Sequence, residues 1–443
     1  MEKNYTFNPN LYKTLIFSAL FLFGSFSGIG QGHQHPHNNI IDIDWDNEIY
    51  YPNPYAERSS VTAPYNLQQR ISSGNACASF IVDYNNFTPQ AEAAFQFAVD
   101  IWANLIASSV PIRVSATFAP LGTGVLGSAG PAGFTAVTGT GFPSNTAFPF
   151  ALAESITGTE IMNGPNPSTD ITATFNTNAN FYFGLDANPP INQIDFVSVV
   201  LHELCHGLGF LGFGRIPTDA TGNPDPNPPV NGLLRNNGFL SPWDTFIENG
   251  AQTAITTFAD PSSALLSEFT SNDLFSNGPM SISQNGGIKP TMYAPSPFQV
   301  GSSYSHWDEA TYPAGNPNSL MSPFVSFGEG IHDPGLMTLG FMEDMGWTLC
   351  QPLSTEEFAL SNVRISPNPF TSDLEIRLAD GLTDTFKIEL FDVEGRKVFT
   401  HSKAANNGVV RITDLDQLGN AIYFMTITNE NTSDSITKKL IKI

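Results

Sequence analysis

Charge is scarce in this chain, and positive charge most of all. Only 13% of the 443 residues are charged, and 18 Lys and Arg stand against 41 Asp and Glu, a formal net charge of −23. A surface so poor in cations argues against a nucleic-acid partner, which needs a basic face. It suits solubility outside the cell. Cysteine is nearly absent: Cys77, Cys205 and Cys350 are all there is. Long hydrophobic runs are missing too. The run Leu15 to Phe23 is too short to span a bilayer and has the length of a signal-peptide core. Lys3 and Lys13 precede it and small residues from Gly24 to Gly30 follow. Residues 1–31 therefore read as a signal peptide, and no membrane span is expected in the mature chain. The acidity would suit Ca2+ sites, but no D-x-D-x-D-G loop is present to place one. Gly (37) and Pro (33) are abundant and 41% of residues are hydrophobic, which predicts globular domains with long loops and much β or irregular structure. The length allows two or three domains.

The stretch His202-Glu203-Leu204-Cys205-His206-Gly207-Leu208-Gly209-Phe210 carries the chemistry. It contains H-E-x-x-H. Positions i and i+4 share one face of a helix, so both imidazoles can reach one metal ion. Glu203 follows the first ligand, where a general base is needed; this is the zinc-protease pattern. The preceding Ile191 to Leu201 predicts the helix, with Asp195 or Asn192 as its cap. Cys205 reads as a small buried residue on that helix.

Catalytic zinc usually takes three protein ligands and leaves one position open. A third ligand six residues after His206 would fall on Gly212, which has no side chain to offer. Of the 8 His, His33, His35 and His37 follow the signal peptide and His401 lies near the C-terminus. His306 and His332 remain as candidates. His306 sits in Ser303-Tyr304-Ser305-His306-Trp307-Asp308, and Ser319-Leu320-Met321-Ser322 follows. Next comes a predicted helix, with Asp333 as cap, Pro334 at its first position and Gly346 as its stop.

In this order the motifs H-E-x-x-H-x-x-G-F, H-W-D, N-x-L-M and E-D-M-G-W resemble those of the leishmanolysin-like (gp63-like) metzincins, over about residues 77 to 350. The resemblance implies zinc held by His202, His206 and His306, Glu203 as catalytic base, and Met321 beneath the metal. It also implies a third ligand displaced by an insertion, here at about 213–305. Gly209 would allow a sharp turn after the helix. An edge strand ahead of the active-site helix would bind extended substrate, and residues 170 to 184 are the candidate.

Residues 32–74 are polar and read as an extended leader or pro-segment. The catalytic domain, 75–355, opens strand, helix, strand. Thr88 caps the helix, Pro89 starts it, and Pro111 to Phe118 alternates as a strand. Cys77 and Cys350, at its two ends, are a plausible disulfide in an exported protein. From about Glu356 the character changes to short alternating strands, with a turn at Glu394-Gly395. Pro367-Asn368-Pro369-Phe370, D-x-x-G-R-x-V and the terminal Lys438-Lys439-Leu440-Ile441-Lys442 resemble the C-terminal sorting domain of the Bacteroidetes type IX secretion system. That resemblance implies a small β-sandwich, residues 356–443, that engages the secretion machinery.

The expectation is therefore an α+β protein. A metzincin-like domain with a mixed sheet and an active-site helix precedes a small all-β sandwich. The expected activity is a secreted zinc endopeptidase acting on protein or peptide substrates. The rival is a non-catalytic exported binding or adhesion protein on the same scaffold.

Overall fold

A computed structural model describes residues 40–43, 48–139, 142–161, 169–218, 230–350, 363–378, 383–431 and 435–443. The signal-peptide stretch, with His33, His35 and His37, lies outside them. The chain divides into two compact units, Met1–Thr348 and Leu349–Ile443.

The first unit is α+β and is built on a six-stranded mixed sheet. Its strands are β1 (Glu48–Val61), β2 (Phe80–Asn85), β3 (Ile112–Ala119), β4 (Gly127–Pro131), β5 (Ile171–Asn176) and β6 (Phe324–Ile331). The spatial order is β6-β1-β4-β5-β3-β2. Strands β2, β3 and β5 pair in parallel, whereas β4 is antiparallel to both β5 and β1. Strand β6 runs parallel to β1. Five helices matter here: α1 (Tyr65–Ser73), α2 (Pro89–Ala103), α3 (Phe150–Thr157), α4 (Phe196–Gly207) and α5 (Leu336–Met345).

Local sequence explains the best-formed elements. Thr88 Oγ1 accepts from Ala91 N and Pro89 opens α2, as the cap pattern predicts. The apolar stripe of α2, Ala91 through Trp102, is buried. In β3, Ile112, Val114, Ala116 and Phe118 face the core in strict alternation. Every residue of α4 is buried, which its apolar composition allows on all sides.

Four expectations are corrected. Helix α4 begins only at Phe196; Ile194 and Asp195 instead pair in parallel with Phe181 and Tyr182. Asp195 is its cap, accepting from Ser198 N at 2.8 Å. Helix α5 begins at Leu336, because Asp333-Pro334-Gly335 forms a turn in which Asp333 Oδ1 accepts from Gly335 N. The candidate substrate strand, 170–184, holds β5, which lies inside the sheet between β4 and β3 and offers no free edge. Finally, the segment expected as an extended leader contributes β1 and α1, and β1 is paired on both sides within the sheet. The insertion 213–305 contains short helices Ser263–Phe269 and Pro279–Gln284 and a paired strand set, Ile247–Asn249 with Leu274–Ser276.

The second unit is all β. One sheet holds β7 (Arg364–Ser366), β8 (Leu374–Arg377) and β11 (Val409–Ile412) in the order β7-β8-β11. The other has β9 (Thr385–Phe391), β10 (Lys397–Ala404), β12 (Ile422–Asn429) and β13 (Ser435–Ile441) in the order β10-β9-β12-β13. Phe370, Ile376, Phe386, Ile388, Leu390 and Met425 form its core. Gly395, with φ 78°, makes the turn between β9 and β10. Cys77 and Cys350 are disulfide-bonded, and Cys205 is a buried free thiol.

Candidate metal centre

Helix α4 puts His202 and His206 on one face. The segment after the insertion brings His306 to them. The three Nε2 atoms lie 3.0 Å (His202–His206), 3.1 Å (His202–His306) and 3.1 Å (His206–His306) apart. Each ring is oriented from behind by a backbone carbonyl. His202 Nδ1 donates to Leu320 O, His206 Nδ1 to Phe210 O and His306 Nδ1 to Ser302 O, each at 2.7 Å. With the proton on Nδ1, all three Nε2 lone pairs converge and none has a proton to give another. Burial keeps the rings neutral. It holds His206 down at about 4, and His202 and His306 well below the ordinary imidazole range, with the neighbouring rings adding to the effect there.

This donor set fits a borderline cation such as Zn2+. Nitrogens at ~2.0–2.1 Å from a tetrahedral zinc stand ~3.3 Å apart, close to the observed spacing. Carbonyl acceptors on the distal nitrogens are the usual means of fixing the tautomer of metal-binding histidines. Among the described residues, the other His/Cys/Asp/Glu group able to hold a metal is Glu154, Glu160 and Asp170.

Long-range packing places the third histidine. Trp307 N donates to Met321 O at 2.9 Å, so the segment carrying His306 and the Leu320-Met321 turn are tied together. Met321 is fully buried. Tyr304 takes φ 77° and donates its hydroxyl to Asp244 Oδ1 at 3.0 Å. The same carboxylate accepts from Phe213 N and Ser241 N. Asp244 thus joins the loop after α4, the insertion and the approach to His306. Gly212 must be glycine here, since a Cβ would stand 2.4 Å from both Trp243 and Tyr304. Gly209 has φ 111°, the turn its position requires. His332, the other candidate, sits apart from the cluster and bonds Asp195 Oδ2 at 2.8 Å.

Glu203 is fully buried beside His202. Strand β4 crosses above it: a Cβ on Gly127 would lie 3.4 Å from Glu203 Cγ. Strand β1 lies along β4, with Tyr50 opposite Gly127. Leu126 N donates to Tyr50 O at 2.9 Å, and on its other side Ile49 N donates to Gly301 O at 3.4 Å. The Tyr50 ring stacks on His202 at 3.6 Å and 8°. Burial, then the carboxylates of Glu329, Glu309 and Glu203, keep its phenol protonated. Tyr50, His202, Glu203, His206 and His306 are each 0% exposed, with Tyr50 of β1 lying on one face of the His202 ring.

Sequence reasoning missed Tyr50, Asp244 and β4. Gly127-Ser-Ala-Gly-Pro131 has none of the β-branched or aromatic residues that mark a strand. Nothing near Tyr50 in the chain signals contact with a helix about 150 residues away, and nothing near Asp244 signals that it accepts from Phe213 N.

The depressed imidazoles have a sign. A group whose folded pKa lies below its unfolded value, ~6.5 for histidine, contributes stability above that value and loses it as pH falls through the folded one. The rings of the metal-free protein are therefore expected to contribute less stability as pH falls from about 6.5 to 4, by about 3 kcal/mol from His206 alone, while buried carboxyls pushed up to about 7, such as Asp244 and Asp170, act in the opposite sense. The difference in urea midpoint between metal-free wild type and His206→Gln across that range isolates the histidine. A difference that does not change with pH would mean that the His206 ring is already charged or exposed.

Comparison with known proteins divides the chain as its fold does. Residues 57–213 match the family described as SPBPB7E8-like, and residues 364–443 match the secretion system C-terminal sorting domain. The C-terminal unit is thus a type IX sorting domain, and the protein is exported through the outer membrane to the cell surface or beyond it. Search of the curated proteins finds no match. Among solved structures, the chain is similar to dimeric latent PorU of Porphyromonas gingivalis: 22% identity, 18% of this chain, 9% of that one, TM-score 0.16. It is also similar to PorZ, a surface component of the type IX secretion system of the same organism: 17% identity, 22% and 14% coverage, TM-score 0.17. A DUF3244 family protein of Bacteroides vulgatus with an immunoglobulin-like β-sandwich matches at 16% identity, 18% and 83% coverage, TM-score 0.16. The chain spans about a tenth of the PorU chain it matches. Among the described residues, no helix is long and apolar enough to cross a membrane.

Proposed function

We propose that the first unit is a zinc endopeptidase of metzincin type, exported with its active site covered by its own N-terminal strand. One observation carries the reading. Three neutral imidazoles direct their Nε2 lone pairs at one point, and a carboxylate follows the first of them on the same helix.

His202, His206 and His306 would hold the metal, with a fourth position left for water or substrate. Bound zinc would supply Lewis acidity, polarising a peptide carbonyl and acidifying water. The chain's own groups do the rest. Glu203 accepts a proton from the attacking water and delivers it to the leaving nitrogen as the C–N bond breaks. The water oxygen ends in the new carboxylate. Strand β4 provides the backbone edge on which an extended substrate would lie, the position β1 now fills.

Zinc content tests the first half of this reading. The purified protein is expected to carry one zinc, and His306→Ala to weaken zinc binding by at least ~10²-fold, more than loss of a supporting group costs. Equal zinc affinity in wild type and His306→Ala would exclude His306 as a ligand. A zinc-loaded protein that cleaves nothing once uncovered would instead be a binding protein on this scaffold.

A further inference from the structure

Three carboxylates meet away from the histidines: Glu154 in α3, Glu160 just beyond it, and Asp170 immediately before β5. One oxygen from each can be chosen so that all lie within 4.8 Å of one another. Glu154 and Asp170 are 1% and 0% exposed. Asp170 Oδ1 is buried with no hydrogen-bond partner among the described residues, and Glu154 and Glu160 meet carboxyl to carboxyl in a hydrogen bond that one proton must supply. Glu154 Oε1 accepts from Ile161 N and Asp170 Oδ2 from Arg113 N. Arg113 Nη2 lies 3.6 Å from Glu160 Oε2 and is the one cation facing the group among the described contacts.

We propose that Glu154, Glu160 and Asp170 form a second, divalent-cation site that takes Ca2+. Three carboxylates and one guanidinium leave a charge of −2, which one divalent ion cancels. An all-oxygen donor set with no nitrogen or sulfur selects a hard cation. Oxygens at ~2.3–2.6 Å from calcium lie up to ~5 Å apart across the ion, the span these oxygens cover. A buried carboxylate oxygen without a partner, and two carboxyls that must share a proton, are what such an ion would repay. Without it, burial and mutual repulsion push Asp170 up to about 7 and raise Glu154 as well.

The site has a structural purpose. Asp170 N donates to Arg113 O and Ala132 N to Asp170 O, so Asp170 links β3, the end of β4 and β5. The next residue, Ile171, packs directly on Gly207 of α4, where a Cβ would stand 2.3 Å from Ile171 Cγ2. A cation here would fasten α3 to the start of β5, which packs on the metal helix. Sites of extracellular modules fill at roughly 10⁻⁴–10⁻³ M Ca2+, and this protein is exported, so the clamp would close after export.

The test uses zinc-loaded full chain freed of calcium, with thermal unfolding followed as calcium chloride is added. At about a hundredfold excess over Kd the midpoint is expected to rise by about 3–5 °C, with a smaller response to magnesium. Asp170→Asn removes one charge and one repulsion, so it should fold as well as the calcium-free wild type, keep its zinc and lose the calcium response. Calorimetry should show one Ca2+ bound by the wild type and none by Asp170→Asn. A wild type indifferent to calcium would mean that shared protons satisfy the cluster, and would overturn the proposal. So would an equal shift in Asp170→Asn.

Discussion

Glu203→Gln is expected to lower kcat/KM for protein cleavage by ~10²–10⁴-fold with its zinc retained. The two side chains have the same shape, so the buried site beside His202 and Gly127 should accept the amide without repacking. What disappears is the ability to accept a proton from the attacking water and return it to the leaving nitrogen. The loss corresponds to about 3–5 kcal/mol of transition-state stabilisation. Steady-state cleavage of casein, with zinc counted in the same samples, separates chemistry from metal binding. A variant with full zinc and wild-type turnover would remove Glu203 from the mechanism.

Release of strand β1 is expected to raise activity by at least ~10²-fold. The three histidines and Glu203 are 0% exposed, Tyr50 lies on His202, and residues 48–50 pair with β4. A substrate strand needs that same edge of β4. Activity in the intact chain then scales with the small fraction of molecules in which β1 has opened. A hundredfold suppression needs an opening cost of only about 2.7 kcal/mol, modest for a strand paired on both sides. The measurement is casein cleavage before and after limited proteolysis within the exposed stretch around Arg58, with loss of the N-terminal piece followed by mass spectrometry. Tyr50→Ala, which leaves the backbone pairing in place, should give a smaller rise. If removal of the piece leaves activity unchanged while the rest stays folded, β1 is a permanent strand of the sheet and not a cover.

The two predictions differ in what they owe to the sequence. Glu203 was legible because H-E-x-x-H is a local pattern. A helix is closed by bonds four residues apart, so residue spacing alone puts His202 and His206 on one face. The caps of α2 and α4 were legible for the same reason: Thr88 and Asp195 act on amides three residues away. The alternation of β3 and the breaks at Gly209 and Gly346 are also local. Strand β4 was not legible, because two glycines and a proline in five residues carry no strand signal. Its pairing with β1 and β5 makes it a strand.

By itself, then, the sequence determined a secreted, acidic, two-part chain with two histidines on one helix face and an all-β sorting domain. It offered His306 and His332 for the third position, and the family resemblance favoured His306. Tertiary structure brings His306, 100 residues beyond His206, to the other two rings and puts His332 on Asp195. It also supplied the Leu320 carbonyl that sets the His202 tautomer and the tyrosine that stacks on that ring. These contacts, like that of His206 with His306, join residues far apart in the chain. Their cost in chain entropy is met by burial of the whole core, which no local pattern of residues records.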